Sequence, residues 1–256
     1  MNDELQNDNL VQTVIPLGLS REEAESQLGV KYWDLGPMLQ GVLMELIDTQ
    51  YAKLMHEASF NPYSQHCSCV GDSLVWVINT LTSTAFENIV VPVIQKDSIL
   101  LKRGLKTVSM GKATMLTVSR KELAGLVHGS QQNRFTLRFD TPAAFKSKGQ
   151  YQVLPSLHLI YQNLLMHYGE VFDADHEVDP ETVDYLVQHS RVIKFQLHSQ
   201  PFKVSGKAIP AYRGSITIEV SGPETLVGFA RMLFCFARFS GIGIKTSMGM
   251  GGLTVE

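Results

Sequence analysis

The sequence has little of several features that mark particular classes of protein. Its 256 residues include three cysteines, Cys67, Cys69 and Cys235, which is an odd number with no C-x-x-C pair. Reduced thiols in a cytoplasmic protein are the simplest interpretation of this usage. No His or Cys completes a zinc set at a familiar spacing. We therefore expect neither a disulfide framework nor a metal site.

Long apolar stretches are also lacking. No apolar run reaches the roughly 18–20 residues that a membrane-spanning helix needs, and the first dozen residues are polar and acidic rather than those of a secretory signal. We therefore expect a cytoplasmic protein with no membrane partner. The apolar fraction of 44% and the charged fraction of 18% are typical of a folded protein, and the length accommodates two ordinary domains.

The net charge of −3 is small, but it conceals an asymmetry along the chain. Residues 170–184 carry seven acids and no Lys or Arg, so the remaining residues sum to +4. Residues 1–25 hold six acids and one Arg, and without them too the sum is +9. Two acidic segments thus accompany a basic body, which permits a local cationic surface.

The order of sequence patterns predicts two similar units. The first half has a β-compatible run at 10–19, a helix at 34–57, a hairpin turning at Gly71-Asp72, a poorer helix that Pro92 ends or kinks, and strands over 98–118. The second half has a strand at 133–139, helices at 155–168 and 179–189, paired strands, a helix at 221–241 and a closing strand. We predict an α+β fold of two tandem ferredoxin-like (βαββαβ) domains, at residues 1–129 and 130–256.

A glycine-rich stretch, "FSGIGIKTSMGMGG", lies near the carboxyl end, with Lys-Thr-Ser at its centre. A phosphate-binding Walker loop needs Gly directly before Lys at a strand-to-helix turn. Here Ile244 precedes Lys245, and the predicted direction is helix to strand, which also excludes the Rossmann arrangement. Two interpretations remain: a connector packed against the preceding helix, or a backbone-lined contact for an RNA phosphate with Lys245 as its charge.

Four stretches together resemble one family, and they follow its order over roughly residues 35–256. They are the glycine-rich pattern G-I-G-x-K-T-S-x-G-x-G, the strand, Thr-Pro turn and helix of 138–168, the Leu-x-His-Glu of "LMHEASFNPYSQ" (54–65), and the hairpin "KAIPAYRGSITIEVSG" (207–222). The chain resembles the repeat-specific endoribonucleases of CRISPR systems, the sixth numbered CRISPR-associated family among the RAMP proteins.

The resemblance implies metal-independent cleavage of precursor CRISPR RNA, without a cofactor. In such chemistry the ribose 2′-hydroxyl attacks the adjacent phosphodiester and gives a 2′,3′-cyclic phosphate, or the 3′-phosphate left after it opens, and a 5′-hydroxyl. A side chain that titrates near neutral pH assists either proton transfer by roughly 10²–10⁴-fold. The resemblance also implies that the product passes to a CRISPR effector complex, and it is compatible with a homodimer.

The resemblance implies that His56, at the Leu-x-His-Glu position, is the catalytic residue, and His66 is its rival. Some family members pair this His with an upstream Tyr and a Lys shortly downstream. Tyr32 and Tyr51 are candidate tyrosines, but no Lys follows His56 before Lys96. Either a lysine from elsewhere substitutes, or His56 works largely alone; the candidates for this second group are Lys53, Lys146 and Lys245.

RNA contacts are expected from three segments. The first segment is Lys146, Ser147 and Lys148 after the Thr-Pro turn, for which a solvated loop is the alternative interpretation. The second is the penultimate hairpin with Lys207 and Arg213, for which the alternative is that these side chains only cover a sheet. The glycine-rich loop contributes Gly241, Gly243, Lys245, Thr246, Ser247, Gly249 and Gly251. Six other histidines show no coherent spacing and are interpreted as structural: His128, His158, His167, His176, His189 and His198.

Two other functions compete with the nuclease. A noncatalytic RAMP-type RNA-binding subunit has the same folds and loop without the chemistry, and the Leu-x-His-Glu match disfavours it. A nucleotide-dependent enzyme that uses the glycine-rich loop would bind ATP or GTP, which a titration detects.

Overall fold

The computed structural model describes residues 9–173, 177–204 and 206–256, so three residues of the acidic segment, 174–176, and with them His176, lie outside the described part. The chain forms two four-stranded antiparallel sheets, one in each half. Each sheet has four strands. When only these four are counted in chain order, the first strand lies between the third and the fourth, which is the ferredoxin-like order. The predicted fold class is therefore confirmed.

The first half follows the predicted βαββαβ plan with several additional short elements. Its elements are β1 Asn9–Ser20, α1 Arg21–Leu28, α2 Gly36–Leu46, α3 Thr49–Glu57, β2 Tyr63–Val70, β3 Ser73–Thr80, α4 Ser83–Ala85, α5 Val91–Ile94, β4 Ser98–Leu101, β5 Lys106–Ser109, β6 Thr114–Ser119 and α6 Arg120–Gly125. The strand order is β2-β3-β1-β6, and β4 pairs with β5 in a separate hairpin. A π-helical turn, Phe86–Val90, connects α4 to α5, and Pro92 stands in the first turn of α5.

The second half repeats the plan and adds two hairpins. Its elements are β7 Arg134–Ala143, β8 Phe145–Ser147, β9 Gln150–Gln152, α7 Leu157–Phe172, α8 Pro180–Gln188, β10 Ser190–Ser199, β11 Phe202–Val204, β12 Lys207–Ile209, β13 Tyr212–Val220, α9 Glu224–Ser240 and β14 Leu253–Val255. The strand order is β10-β13-β7-β14, while β8–β9 and β11–β12 form the hairpins. In the described ranges no helix is long and apolar enough to cross a membrane.

The single helix predicted over residues 34–57 is wrong, because the chain breaks it into α2 and α3. Ile47 is extended (φ −85°, ψ 161°). The carboxylate of Asp48 then accepts hydrogen bonds from the N–H groups of Gln50 and Tyr51 and caps a new helix. None of the residues of α3 is fully buried, so this helix lies on the surface and exposes its last turn.

The two sheets meet along a junction held by polar contacts as well as by packing. The Ser64 hydroxyl donates to the Phe239 carbonyl at 2.7 Å, and the Gln65 side chain donates to the Ser247 carbonyl at 3.0 Å. Both donors are on β2, and their acceptors are at the end of α9 and in the segment that follows it. The first half therefore directly supports the glycine-rich loop of the second half.

Candidate nucleic-acid interface

A cleft of about 400 Å³ lies beside the glycine-rich loop. One wall is the segment after α3, one is the middle of α7, and one is the loop itself. The lining residues are Ser59, Phe60, Asn61, Asn163, Met166, His167 and Gly243 to Met248. The cleft thus joins both halves of the chain.

His56 lies in the last turn of α3, directly before the segment that forms the first wall. Its side chain is exposed to solvent. Lys53, one turn earlier, is also exposed, and its Nζ lies 3.9 Å from the Glu57 carboxylate. Because residues three apart share a helix face, the structure places Lys53 and His56 side by side.

Tyr51 occupies a different environment on the same helix. Its ring packs against the core of the first half and is half-buried. Desolvation raises the pKa of Tyr51 to about 12, so its hydroxyl stays protonated at neutral pH. A spacing of five residues also turns it away from the face that carries His56. The structure therefore does not bring Tyr51 and His56 together.

His66, the rival histidine, is enclosed in the junction between the sheets. It is 3% exposed, and burial lowers its pKa to about 4, which leaves the imidazole neutral at physiological pH. Its Nε2 lies 4.0 Å from an Asp140 carboxylate oxygen on β7. The ring also packs directly against Gly252, since a Cβ added to Gly252 would lie only 2.4 Å from His66 Cγ. This packing gives His66 no open path to a polymer substrate.

The glycine-rich loop runs from the end of α9 into β14, as its sequence direction predicts. Gly241, Gly243, Gly249 and Gly251 all have positive φ, at 67°, 90°, 101° and 66°. Lys245 also has a left-handed conformation, with φ 56°. A strand-to-helix phosphate loop is thus absent at this point of the described chain, and the backbone instead makes a compact series of reversals.

These four glycines are buried, and their N–H groups bond inside the protein. The acceptors are the Ala237 carbonyl for Gly241, the Asn163 Oδ1 for Gly243, the Thr246 carbonyl for Gly249 and the Pro142 carbonyl for Gly251. Direct RNA contact through these N–H groups, which the sequence predicted, is not available in this conformation. The glycines instead allow close backbone approaches that a side chain would prevent.

One such approach joins the two halves of the chain. A Cβ on Gly36, at the start of α2, would lie 2.4 Å from the Met248 carbonyl oxygen. A Cβ on Gly249 would in turn lie 2.7 Å from the Gly36 Cα. Both distances are shorter than any ordinary carbon contact, so the two glycines are needed for this fit.

The accessible part of the loop is its centre. Lys245 is exposed, and Thr246 and Ser247 are half-buried. Among the hydrogen bonds of the described residues, none gives the N–H groups of Lys245, Thr246 or Ser247 an acceptor. The Ser247 hydroxyl bonds the Tyr63 side chain, and the Lys245 ammonium makes only a long contact, 3.9 Å, to the Met248 sulfur. The exposed ammonium group, the Thr246 hydroxyl and three successive N–H groups are therefore suited to an anion such as a phosphate.

The hairpin β8–β9 places two further cations near this loop. The Ala144 carbonyl, directly before β8, accepts the Ile244 N–H at 3.0 Å. Lys148 and Gly149 form the turn with φ 49° and 79°, a two-residue hairpin geometry. Lys146 and Lys148 are exposed, and Ser147 is half-buried. The backbone directly before this predicted RNA-binding segment is thus bonded to the backbone directly before Lys245.

The two predicted contacts of the penultimate hairpin differ from each other. Lys207 is exposed on β12, whereas Arg213 is held at the junction of the sheets. The Arg213 Nε donates to the Asp140 carbonyl at 3.0 Å, and another guanidinium nitrogen bonds the Tyr32 hydroxyl. Its guanidinium carbon also lies 4.5 Å from the Trp33 ring centroid. These contacts make Arg213 an anchor between the two halves.

Sequence reasoning overlooked Asn163 on α7 and interpreted His167 only as structural. Asn163 Oδ1 accepts the Gly243 N–H at 2.8 Å, and Asn163 Nδ2 lies 3.2 Å from His167 Nε2. The i, i+4 spacing of Asn163 and His167 places them on one helix face, but nothing in that spacing indicates the loop residue that they meet. In the part of the chain that the structure describes, no group of three His, Cys, Asp or Glu is placed to hold a metal.

Comparison with known proteins relates the chain to one family. Residues 137–253 match the family "CRISPR-associated endoribonuclease Cas6". A protein of that name from Streptococcus thermophilus is 33% identical over 232 residues, with 87% of this chain and 92% of that protein covered. Another from Mycobacterium tuberculosis is 36% identical over 230 residues, with 87% and 72% covered.

Solved structures show the same fold at lower identity. A Cas6 product complex has a TM-score of 0.75 at 18% identity, with 97% of this chain and 99% of that chain covered. Thermus thermophilus Cas6 has a TM-score of 0.69 at 20% identity, with 97% and 99% covered.

Proposed function

This chain belongs to the Cas6 family and is an endoribonuclease that processes CRISPR repeat RNA; from this premise we propose that it cuts the RNA at the cleft beside the glycine-rich loop, with His56 as the catalytic residue. The observation that carries the proposal is the placement of an exposed His at the end of α3, three residues before Ser59, which is in the lining of a cleft that also contains Lys245. His56 is thus close along the chain to the wall of a cleft that also carries the proposed phosphate-binding residues.

The proposed reaction uses the RNA's own 2′-hydroxyl as the nucleophile. Its oxygen forms a bond to the adjacent phosphorus while the bond from phosphorus to the 5′-oxygen breaks. One proton leaves the 2′-hydroxyl and one is delivered to the 5′-oxygen, and the products are a 2′,3′-cyclic phosphate and a 5′-hydroxyl. His56 takes part in one of these transfers, because imidazole exchanges protons readily near neutral pH.

Negative charge accumulates on the phosphate oxygens during this reaction. The ammonium group of Lys245 and the free N–H groups of Lys245 to Ser247 are suited to stabilise it. Lys146 and Lys148 extend the cationic surface along the RNA backbone and position it. In this proposal no step requires a metal ion, and the buried glycines contribute only the shape of the loop.

Further parts of the proposal rest on the family resemblance and on the chain's organisation. We place the boundary between the two domains at residue 129, in the connection between α6 and β7. That connection is held on the second domain, since the Arg231 guanidinium donates to the carbonyls of Leu126, Ser130 and Gln132. Action in the cytoplasm, transfer of the product to an effector complex and a homodimer are the remaining proposals.

The test is substitution of His56 by Ala, assayed with the host's repeat RNA in EDTA. We expect the single-turnover cleavage rate to fall by at least about 10²-fold, while the Kd for the repeat changes little. His158→Ala, an exposed His on α7, is the matched control and should cleave as the wild type does.

Three results would contradict the proposal. Undiminished cleavage by His56→Ala removes His56 from the mechanism, and loss of wild-type activity in EDTA removes metal independence. If the wild type binds its repeat but never cuts it, the noncatalytic RNA-binding function replaces the nuclease.

A further inference from the structure

Helix α7 carries a pair of side chains that is joined to the glycine-rich loop by a directed chain of hydrogen bonds. The Gly243 N–H donates to Asn163 Oδ1 at 2.8 Å. Because that oxygen is the acceptor, the other end of the carboxamide, Nδ2, is the donor. Nδ2 lies 3.2 Å from His167 Nε2, so this ring nitrogen accepts. From donor to acceptor, the chain of bonds therefore runs from the loop backbone at Gly243 through Asn163 to His167.

The direction of these bonds fixes the state of His167. A ring whose Nε2 accepts carries its proton on Nδ1 when it is neutral. His167 is 6% exposed, and burial lowers its pKa to about 4, in agreement with a neutral ring. The Phe60 ring, whose centroid lies 5.2 Å away, covers it from the segment after α3.

The arrangement has a cost that packing alone does not require. Among the described residues, His167 Nδ1 is a buried polar atom without a hydrogen-bond partner. A buried N–H without an acceptor destabilises a fold, and an apolar side chain would fill the same space without that cost. The benefit lies at the other end of the chain of bonds, where Asn163 holds Gly243 at the point where the loop turns toward Lys245.

We propose that Asn163 and His167 are positioning residues for RNA binding: His167 orients the Asn163 carboxamide, which fixes the glycine-rich loop so that its central N–H groups and Lys245 face the cleft. All three partners line that cleft. The inference rests on the proposed function, since it assigns to these residues the placement of the phosphate-binding loop.

Two readouts separate a positioning role from a merely structural one. Asn163→Ala removes both bonds, so we expect hydrogen exchange of the peptide 241–252 to accelerate and the Kd for a repeat with 2′-deoxyribose at the mapped cut site to rise about tenfold. At saturating RNA the cleavage rate should stay within about threefold of wild type, so the effect is on KM rather than kcat.

The matched pair at His167 tests the direction of the bonds. In His167→Gln an amide oxygen can occupy the position of Nε2, because it is the same number of bonds from Cβ. In His167→Asn the amide is one bond too short. We expect His167→Gln to recover most of the loop protection and affinity, and His167→Asn to behave like Asn163→Ala. Asn88→Ala, at a half-buried position in the first half of the chain, and His158→Gln, at an exposed position of α7, should match wild type in both measurements.

The outcomes are distinguishable from those of the proposed function. Wild-type loop protection in Asn163→Ala, or equal loss in the two His167 variants, overturns this inference even when the protein cleaves RNA normally. If wild type neither binds nor cleaves its repeat, the proposed function fails. In that case, faster hydrogen exchange of the peptide 241–252 in Asn163→Ala would show only that Asn163 holds the loop. It would show no role in RNA binding, and this inference would fail as well.

Discussion

Three histidines show how the environment of a single residue decides its chemistry. His56 is exposed at a helix end, whereas His66 and His167 are enclosed at the junction of the sheets and beneath the loop. Burial lowers the pKa of both enclosed rings to about 4. Of these three, only His56 has a side chain exposed to solvent, as the proposed catalytic role requires.

The buried histidines predict how stability depends on pH. An unfolded histidine has a pKa near 6.5, so between about pH 6.5 and 4 the unfolded chain binds more protons than the folded one. The free energy of unfolding should therefore fall as the pH decreases through this window, by at most about 3 kcal/mol for each ring, and level off below it.

Urea unfolding at pH 7, 6 and 5 measures this slope. The double variant His66→Asn, His167→Gln lacks both rings. In it, the part of the decrease in the free energy of unfolding that these rings cause should disappear, whatever the absolute stability at pH 7. A slope equal to that of wild type would contradict the assignment of both rings as buried and neutral.

At the scale of the element, the glycine-rich loop acts through its shape. Its buried glycines permit reversals and close contacts, and its centre presents Lys245, Thr246 and Ser247 to the cleft. Since most of its N–H groups are bonded within the protein, the loop is a rigid support rather than a flexible flap.

Gly243→Ala should test this support. A Cβ at Gly243 would lie 2.3 Å from the Ala144 carbonyl oxygen, and φ is +90°, so we expect a loss of several kcal/mol in the free energy of unfolding. Gly41, exposed within α2, has nothing within 4 Å of an added Cβ. Gly41→Ala should therefore stabilise by about 0.5–1 kcal/mol. Equal effects of the two changes, measured by denaturant unfolding, would exclude the close-contact account.

The sequence predicts elements better than it predicts contacts. Both sheets, the hairpin at Gly71-Asp72 and the helix-to-strand direction of the glycine-rich loop follow from periodicity and turn residues. The break between α2 and α3 was missed, since the apolar spacing continues through Ile47 while Asp48 caps a new helix. The bonding of the glycine N–H groups could not be predicted either, because their acceptors are on distant elements such as α7 and β7.

At the scale of the whole molecule, Arg213 contacts both halves of the chain, whereas the lysines that we propose for RNA binding are exposed. Arg213 bonds the Asp140 carbonyl and stacks on Trp33 across the junction. Lys146, Lys148 and Lys245 are exposed around the cleft and the neighbouring hairpin. The small net charge therefore does not prevent a local surface that attracts RNA.

Arg213→Lys and Lys245→Ala should separate these two roles. Lysine lacks the planar guanidinium that stacks and bonds at the same time, so Arg213→Lys should lower Tm by several degrees and leave the salt dependence of repeat binding unchanged. Lys245→Ala should leave Tm unchanged and reduce the slope of log K against log salt by about one. Because Arg213→Lys keeps the positive charge, the opposing result is one of affinity: a raised Kd for the repeat with an unchanged Tm would assign Arg213 to RNA after all.

The contact between Gly36 and Gly249 couples the evolution of the two halves of the chain. Each residue leaves no space for a side chain on the other, so neither position is free to drift while its counterpart stays the same. Consider a hybrid that joins residues 1–129 of this chain to the second half of a relative. Such a hybrid can form the contact at Gly36 only if the relative has glycine at the position that corresponds to Gly249. Recombination within the family is thus constrained by a backbone contact that involves no catalytic side chain.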